Sequence, residues 1–247
     1  MQKILGYMRK AIQDYNLIQD GDRIAVGVSG GKDSLALLIG LKLLQRFIGI
    51  DYEIIGITLD PYFNKMPTDF SSVQKLCEQY DIQYKIIETH IAEIIFDIRK
   101  ESHPCSLCAR MRRGALHDAA KENNCNKIAL GHNFDDAIET FFMNLFNEGR
   151  LGCFSPVSYL SRKDLYLIRP LVYAPEKDIK SSVKRNDFPV VKSNCIMDGN
   201  TNREKTKQFI KEMSLKVPDF PEKIFGAMKR ADLDGFGDKK HLFTEKD

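Results

Sequence analysis

The sequence is poor in the features that would announce a function class outright. It has no unbroken apolar run of about 18 residues, and charged side chains are scattered through its opening stretch, MQKILGYMRKAIQDYN. Neither a membrane span nor a signal peptide is expected, no membrane partner is indicated, and a cytoplasmic location follows as the expectation. Internal repeats and low-complexity linkers are also missing, and 37 basic against 34 acidic residues leave a formal charge of only +3. That balance is no nucleic-acid signature by itself, so local clusters have to carry any such argument. Six cysteines in a reducing compartment read as metal ligands, reactive thiols or small buried hydrophobes rather than disulfides.

What is present is ordinary globular material: 247 residues, 43% hydrophobic and 29% charged, enough for one sizeable core with an appendage. Apolar runs at 23–28, 52–59, 83–87, 127–130 and 165–168 read as strands. Amphipathic stretches at 34–47, 70–79, 108–122 and 135–146 read as helices. That alternation predicts an α/β fold: a parallel twisted sheet with helices on both faces, whose ligands collect at the carboxyl ends of the strands. Three segments are expected: an N-terminal helix in 1–20, the α/β domain in 21–174, and a helical C-terminal segment in 175–247 with a frayed tail.

The most informative stretch is GVSGGKDSLALL, from Gly27 to Leu38. It follows a strand and opens a helix, so Ser29, Gly30, Gly31, Lys32, Asp33 and Ser34 sit where backbone N–H groups and the helix dipole meet an anion. It is not a Walker loop. With Lys32 in the lysine slot, Val26 fills the first glycine position and Asp33 the hydroxyl position. SGGKDS instead resembles the PP-loop of the adenine-nucleotide alpha-hydrolase-like enzymes. That resemblance implies ATP cleaved between its α- and β-phosphates, with pyrophosphate cradled as it leaves.

Two further stretches end predicted strands in carboxylates, GITLD at Asp60 and LGHNFDD at Asp135 and Asp136, the latter with Gly131 and His132 before the pair. Beside a triphosphate, Asp33, Asp135 or Asp136 is suited to hold Mg²⁺, and the pair to take a proton from an attacking group. The same residues are also good helix N-caps. Asp60 is expected to orient the nucleotide or the base, and Arg169 of IRPL is a candidate for a phosphate or, equally, for a surface role.

HPCSLCARMRRGAL places Cys105 and Cys108 with two residues between them at a helix start, where one metal or cluster can bind both and the helix dipole is expected to lower their pKa. No second CxxC follows, which counts against a four-cysteine zinc ribbon. Cys195 is the isolated late candidate, Cys77 and Cys125 read as packing residues, and Cys153 is undecided.

The order SGGKDS, CSLCARMRRG, ALGHNFDD, IRPL and a late cysteine, over roughly 22–208, resembles the TtcA-like branch, the tRNA 2-thiocytidine synthetases and their relatives. The resemblance implies a [4Fe–4S] cluster on Cys105, Cys108 and Cys195, one iron left open, ATP with Mg²⁺, a tRNA substrate, and sulfide or a donor such as a cysteine desulfurase. Relatives are often dimers. Many carry the late cysteine in its own CxxC, whereas SNCIM here has one. Arg110, Arg112 and Arg113, next to the CxxC, are expected on RNA phosphate, with Arg150, Arg162, Lys163, Arg203, Lys205 and Lys207 as further basic candidates. The motifs also fit a PP-loop enzyme acting on another base or small molecule, a lysidine-synthetase-like ligase with zinc-bound cysteines, and a nucleotide-sensing module without turnover.

Overall fold

A computed structural model describes residues 1–63, 66–99, 104–192, 195 and 202–237. Six strands form one sheet in the order β3-β2-β1-β4-β6-β5: β1 (Asp22–Gly27), β2 (Tyr52–Asp60), β3 (Gln83–Glu88), β4 (Lys127–Ala129), β5 (Val157–Leu160) and β6 (Leu165–Ile168). The first four and β6 run parallel, as the buried apolar runs require. The expected sheet was short by one strand. β5 pairs antiparallel with β6 across a tight turn, Val157 opposite Ile168, and closes the edge. Its four residues, VSYL, are partly exposed and carry no continuous apolar run, so the pattern that marks a buried parallel strand is missing there.

Helices cover both faces. α1 (Gln2–Tyr15), α2 (Lys32–Leu44), α6 (Glu176–Arg185) and α8 (Phe220–Arg230) share a main core with β1. α4 (Pro104–Glu122) packs on the other face, where Leu116, Ala119 and Ala120 meet Ile55, Ile57 and Ile128. α3 (Ser71–Gln79), α5 (Phe134–Glu148) and α7 (Asn202–Lys216) complete the described helices of length. The amino- and carboxyl-terminal helices bury Ile4, Met8, Phe225 and Met228 in the same core as the sheet, so packing joins the three sequence segments. The end of the tail, 238–247, lies outside the described residues.

A small satellite core stands apart. Ile91, Ile95 and Leu107, with Phe96, Cys108 and Met111 against them, pack a π-helical turn (Glu93–Ile98) on the first turns of α4.

One charged pair is buried at the amino-terminal edge of the sheet. Lys127 Nζ lies 2.7 Å from Asp22 Oδ2 and donates to Leu17 O at 3.0 Å. Asp22 also accepts from Asn126 Nδ2 at 2.7 Å and Gln19 N at 2.6 Å, so neither charge is left bare. Removing the cation alone strands the carboxylate. Lys127→Met should therefore lower unfolding free energy by about 3–5 kcal/mol, read as a shifted urea midpoint, while Lys127→Met combined with Asp22→Asn should recover much of the loss.

Candidate active site at the carboxyl edge of the sheet

The PP-loop leaves β1 at Gly27 and enters α2 at Lys32. Its interior is tied down by hydroxyls: Ser34 Oγ donates to Gly31 O at 2.9 Å and accepts from Ser29 N at 3.2 Å, and Ser29 Oγ accepts from Gly31 N at 3.3 Å. Gly31 caps α2 with no side-chain hydrogen bond, so the first amides of that helix keep their free donors for an anion. The neighbouring α5 is the opposite case. Asn133 Oδ1 accepts from Asp136 N at 3.0 Å while Asp136 Oδ2 accepts from Asn133 N at 2.9 Å, a closed capping box. Capping is thus a real part of what GHNFDD does, and the loop at Gly31 is the terminus left open.

Two glycines are required by close approach. Gly30 has φ of +80°, and a Cβ there would stand 2.9 Å from Val191 Cβ and 3.3 Å from Phe70 Cε1. A Cβ on Gly131 would stand 3.1 Å from both Asp33 C and Ser34 N, so the GHNFDD turn docks on the PP-loop backbone itself. Asn133 Nδ2 donates to Asp33 Oδ1 at 3.1 Å across that contact.

A cavity of about 460 Å³ opens over these elements. Ser29, Asp33, Ser34, His132, Asp136 and Arg203 line its polar part, and Ile57, Leu59, Leu116, Leu130 and Leu167 its apolar part. Arg112 and Arg113 of α4 also line it, so two of the three arginines expected on RNA turn towards the loop; Arg110 is exposed and does not. Arg203 and Lys207 likewise turn inward, Arg203 to Asp136 at 3.6 Å and Glu139 at 3.3 Å, Lys207 to Glu139 at 3.6 Å and Glu176 at 3.8 Å.

The remaining candidates sort by what their side chains touch. Lys32 reaches Asp33 at 2.7 Å and Glu176 at 2.8 Å; burial alone would lower its pKa, but the two carboxylates outweigh that and hold it above the ordinary lysine value. Burial pushes Asp135 and Asp136 upward. Asp136 faces the cavity, whereas Asp135 Oδ2 accepts from Glu176 N at 2.6 Å, caps α6 and does not line the cavity. Asp60 is buried and spent on its own loop, accepting from Tyr62 N at 3.0 Å, Thr68 N at 2.7 Å and Thr68 Oγ1 at 3.2 Å.

Arg169 is buried rather than placed on a phosphate. Its Nε donates to His132 Nδ1 at 3.0 Å, its guanidinium stands 4.8 Å over the Phe154 ring, and His132 stacks on the same ring at 4.9 Å. Because an arginine can only donate, His132 Nδ1 must accept, which leaves the ring proton on Nε2. Burial, then the Arg169 charge, pushes His132 down to about 3.

The cysteines divide the same way. Cys105 is exposed, and Cys108 and Cys195 are half-buried. Cys195 and Cys105 are both near enough for their charges to raise Cys108, and Arg112 lowers it. At Cys108 the expected drop is not seen: burial is the largest influence and holds it above the ordinary thiol value. Among the described residues, no three His, Cys, Asp or Glu side chains close to the spacing of a single-metal site. Cys153 is a packing thiol that donates to Ala137 O at 3.3 Å, and burial pushes it to about 12; Cys77 and Cys125 are buried, as expected.

Sequence patterns missed Glu139, Glu176 and His117. Glu139 is buried beside Arg203 and Lys207, and burial pushes it to about 7. His117 lines the cavity with a buried Nε2 that has no partner among the described residues. A glutamate at a helix start or a histidine on an amphipathic helix carries no pattern that would have singled it out.

Comparison with known proteins follows the geometry. A family model described as PP-loop domain matches residues 3–212. A tRNA-cytidine(32) 2-sulfurtransferase of Syntrophotalea carbinolica is 37% identical over 230 residues, covering 92% of this chain and 88% of its own. One from Dichelobacter nodosus is 41% identical over 223 residues, covering 90% and 83%. Among solved structures, the U34-tRNA thiolase NcsA from Methanococcus maripaludis with its [4Fe-4S] cluster superposes with a TM-score of 0.77 at 25% identity, over 93% of this chain and 78% of that one.

The His132 geometry has a direct spectroscopic test. Between about pH 5 and 8, where an ordinary histidine titrates, ¹⁵N spectra should show His132 as a neutral ring with its proton on Nε2. Arg169→Leu should release that tautomer, seen as a shift of the Nδ1 resonance.

Proposed function

The chain belongs to the PP-loop domain family, with tRNA-cytidine(32) 2-sulfurtransferases among its relatives, and we propose that it is an ATP-dependent tRNA sulfurtransferase forming 2-thiocytidine. The observation that carries the reading is one side chain. Arg112 lines the cavity over the PP-loop and, one helical turn beyond Cys108, acts on that thiol, so the adenylating and sulfur chemistries share a wall.

Each residue then has work to do. ATP lies with its phosphates over Ser29, Gly30, Gly31 and Ser34, where the uncapped amides of α2 donate to their oxygens. Lys32 exchanges a carboxylate for phosphate oxygen, and Asp33 and Asp136 are the residues that would hold Mg²⁺, which would supply charge stabilisation to the leaving pyrophosphate. The cytosine O2 attacks the α-phosphorus and the bond to pyrophosphate breaks. His132 donates from Nε2 without changing charge, and Gly131 allows that turn to sit against the loop. Sulfur then replaces the adenylated oxygen at C2, and AMP departs with it. Asp60 and Asp135 act as positioning residues, one on its loop and one on α6.

Cys105, Cys108 and Cys195 are the thiols that would hold a [4Fe–4S] cluster. Cys105 and Cys108, with two residues between them, would take separate irons of such a cluster, with Cys195 as the third ligand. Such a cluster, on three protein thiolates, supplies an iron able to carry a soft sulfur donor. Arg110, exposed at this rim, is left for RNA phosphate, with a sulfide source and tRNA as partners.

The test is mass spectrometry of tRNA nucleosides after incubating anaerobically reconstituted protein with ATP, Mg²⁺, sulfide and unmodified tRNA. A thiolated cytidine is expected, and its absence from active, iron-loaded protein would overturn the reading. Lys32→Ala should slow pyrophosphate release by about 100- to 1000-fold, the usual cost of removing one preorganised charge-stabilising donor. Cys195→Ala should abolish thiolation with ATP affinity intact.

A further inference from the structure

A second cavity, of about 260 Å³, adjoins the first and extends away from Ser29 and Gly31 of the phosphate loop. Ser29, Leu59 and Arg112 line both cavities. The smaller one is completed by Phe63, Thr68 and Phe70 from the segment after β2 and by Val191 and Lys192 from the segment before Cys195.

Its walls are built rather than incidental. Asp60 accepts from Tyr62 N at 3.0 Å, beside Phe63, and from Thr68 at 2.7 and 3.2 Å, two residues before Phe70. Phe63 leans on Phe96 with ring centroids 6.4 Å apart. On the far side Val191 N donates to Gly30 O at 3.0 Å, which seats that segment on the PP-loop. The lining sets the edges of two largely buried phenyl rings beside Arg112 and Lys192, and the volume falls below the roughly 300 Å³ at which sites for drug-sized ligands begin. Flat, single-ring and polar at one edge describes what fits.

Position narrows the occupant further. In the proposed reaction one atom must first meet the α-phosphate and its carbon must then meet sulfur. Ser29 and Arg112 mark the phosphate side; Cys108 lies one helical turn before Arg112, and Cys195 three residues after Lys192. A ring in this cavity meets Ser29 on the loop side and Arg112, one helical turn from Cys108, on the other.

We propose that this cavity receives the target pyrimidine, turned out of an RNA loop, with Phe63 and Phe70 against the ring and Arg112 at its exocyclic oxygen. The proposal rests on the tRNA-thiolation reading and adds the base subsite to it. Unpaired loop bases are recognised by stacking on aromatic side chains, and enzymes acting on a base take it out of its stack.

The test uses an anticodon stem-loop RNA carrying cytidine, or an abasic site, at the target position. Wild-type protein with ATP should bind the cytidine form about 5- to 150-fold more tightly, the range that removal of one base–aromatic stack represents. Phe63→Ala should erase most of that difference and leave ATP affinity unchanged, and Phe63→Tyr should restore it. In wild-type protein, 5-iodocytidine at the same position should photocrosslink to Phe63 or Phe70. An undiminished preference in Phe63→Ala, a crosslink to another element, or a parallel loss of ATP affinity would overturn the proposal. Wild-type protein that makes no thiolated nucleoside rejects the underlying reading instead, whereas thiolation at the wild-type rate by Phe63→Ala rejects the subsite alone.

Discussion

One backbone hydrogen bond organises the site. Val191 N–H reaches the carbonyl of Gly30, inside the phosphate loop, and the contact exists only because Gly30 has no Cβ to collide with Val191 and Phe70. Through it, the segment that runs on to Cys195 becomes part of the loop's surroundings. Gly131 does the same service from the other side by letting the β4–α5 turn lie on Asp33 and Ser34. Two missing methyl groups thus set three chain segments against one another at van der Waals distance.

Charge fills the space that backbone contact leaves. Lys32, Asp33, Glu176, Lys207, Glu139, Arg203 and Asp136 form a chain of ion pairs leading from the loop to α7. Pairs of this kind, part-buried and linked, count for more than isolated surface bridges. The chain explains why Arg203 and Lys207, which look like a solvated basic face in the sequence, turn inward: Glu139 is buried, and its carboxyl draws both.

The fold was legible where period and punctuation agreed. The strand runs around Val26, Ile57 and Ile128 were long and apolar enough to declare a buried parallel sheet, and SGGKDS sat at a strand-to-helix turn as its glycines demanded. The site was legible by motif, and less so by direction. Nothing in LGHNFDD distinguishes Asp135, which caps α6, from Asp136, which faces the cavity, because that choice depends on a helix 40 residues further along. IRPL gave no hint that Arg169 serves His132 rather than a phosphate, since burial is a property of the assembled fold. Val157–Leu160 failed to announce itself because an edge strand needs only one covered face.

The satellite core under the cysteine helix has a consequence of its own. The first turns of α4 are held by Ile91, Ile95 and Leu107, a cluster separate from the two that secure the sheet. Protein regions open in units, each at a free energy set by its own apolar contacts. This corner therefore rests on a smaller apolar cluster than the sheet does, and its amides are expected to exchange with solvent before those of β1 or β4.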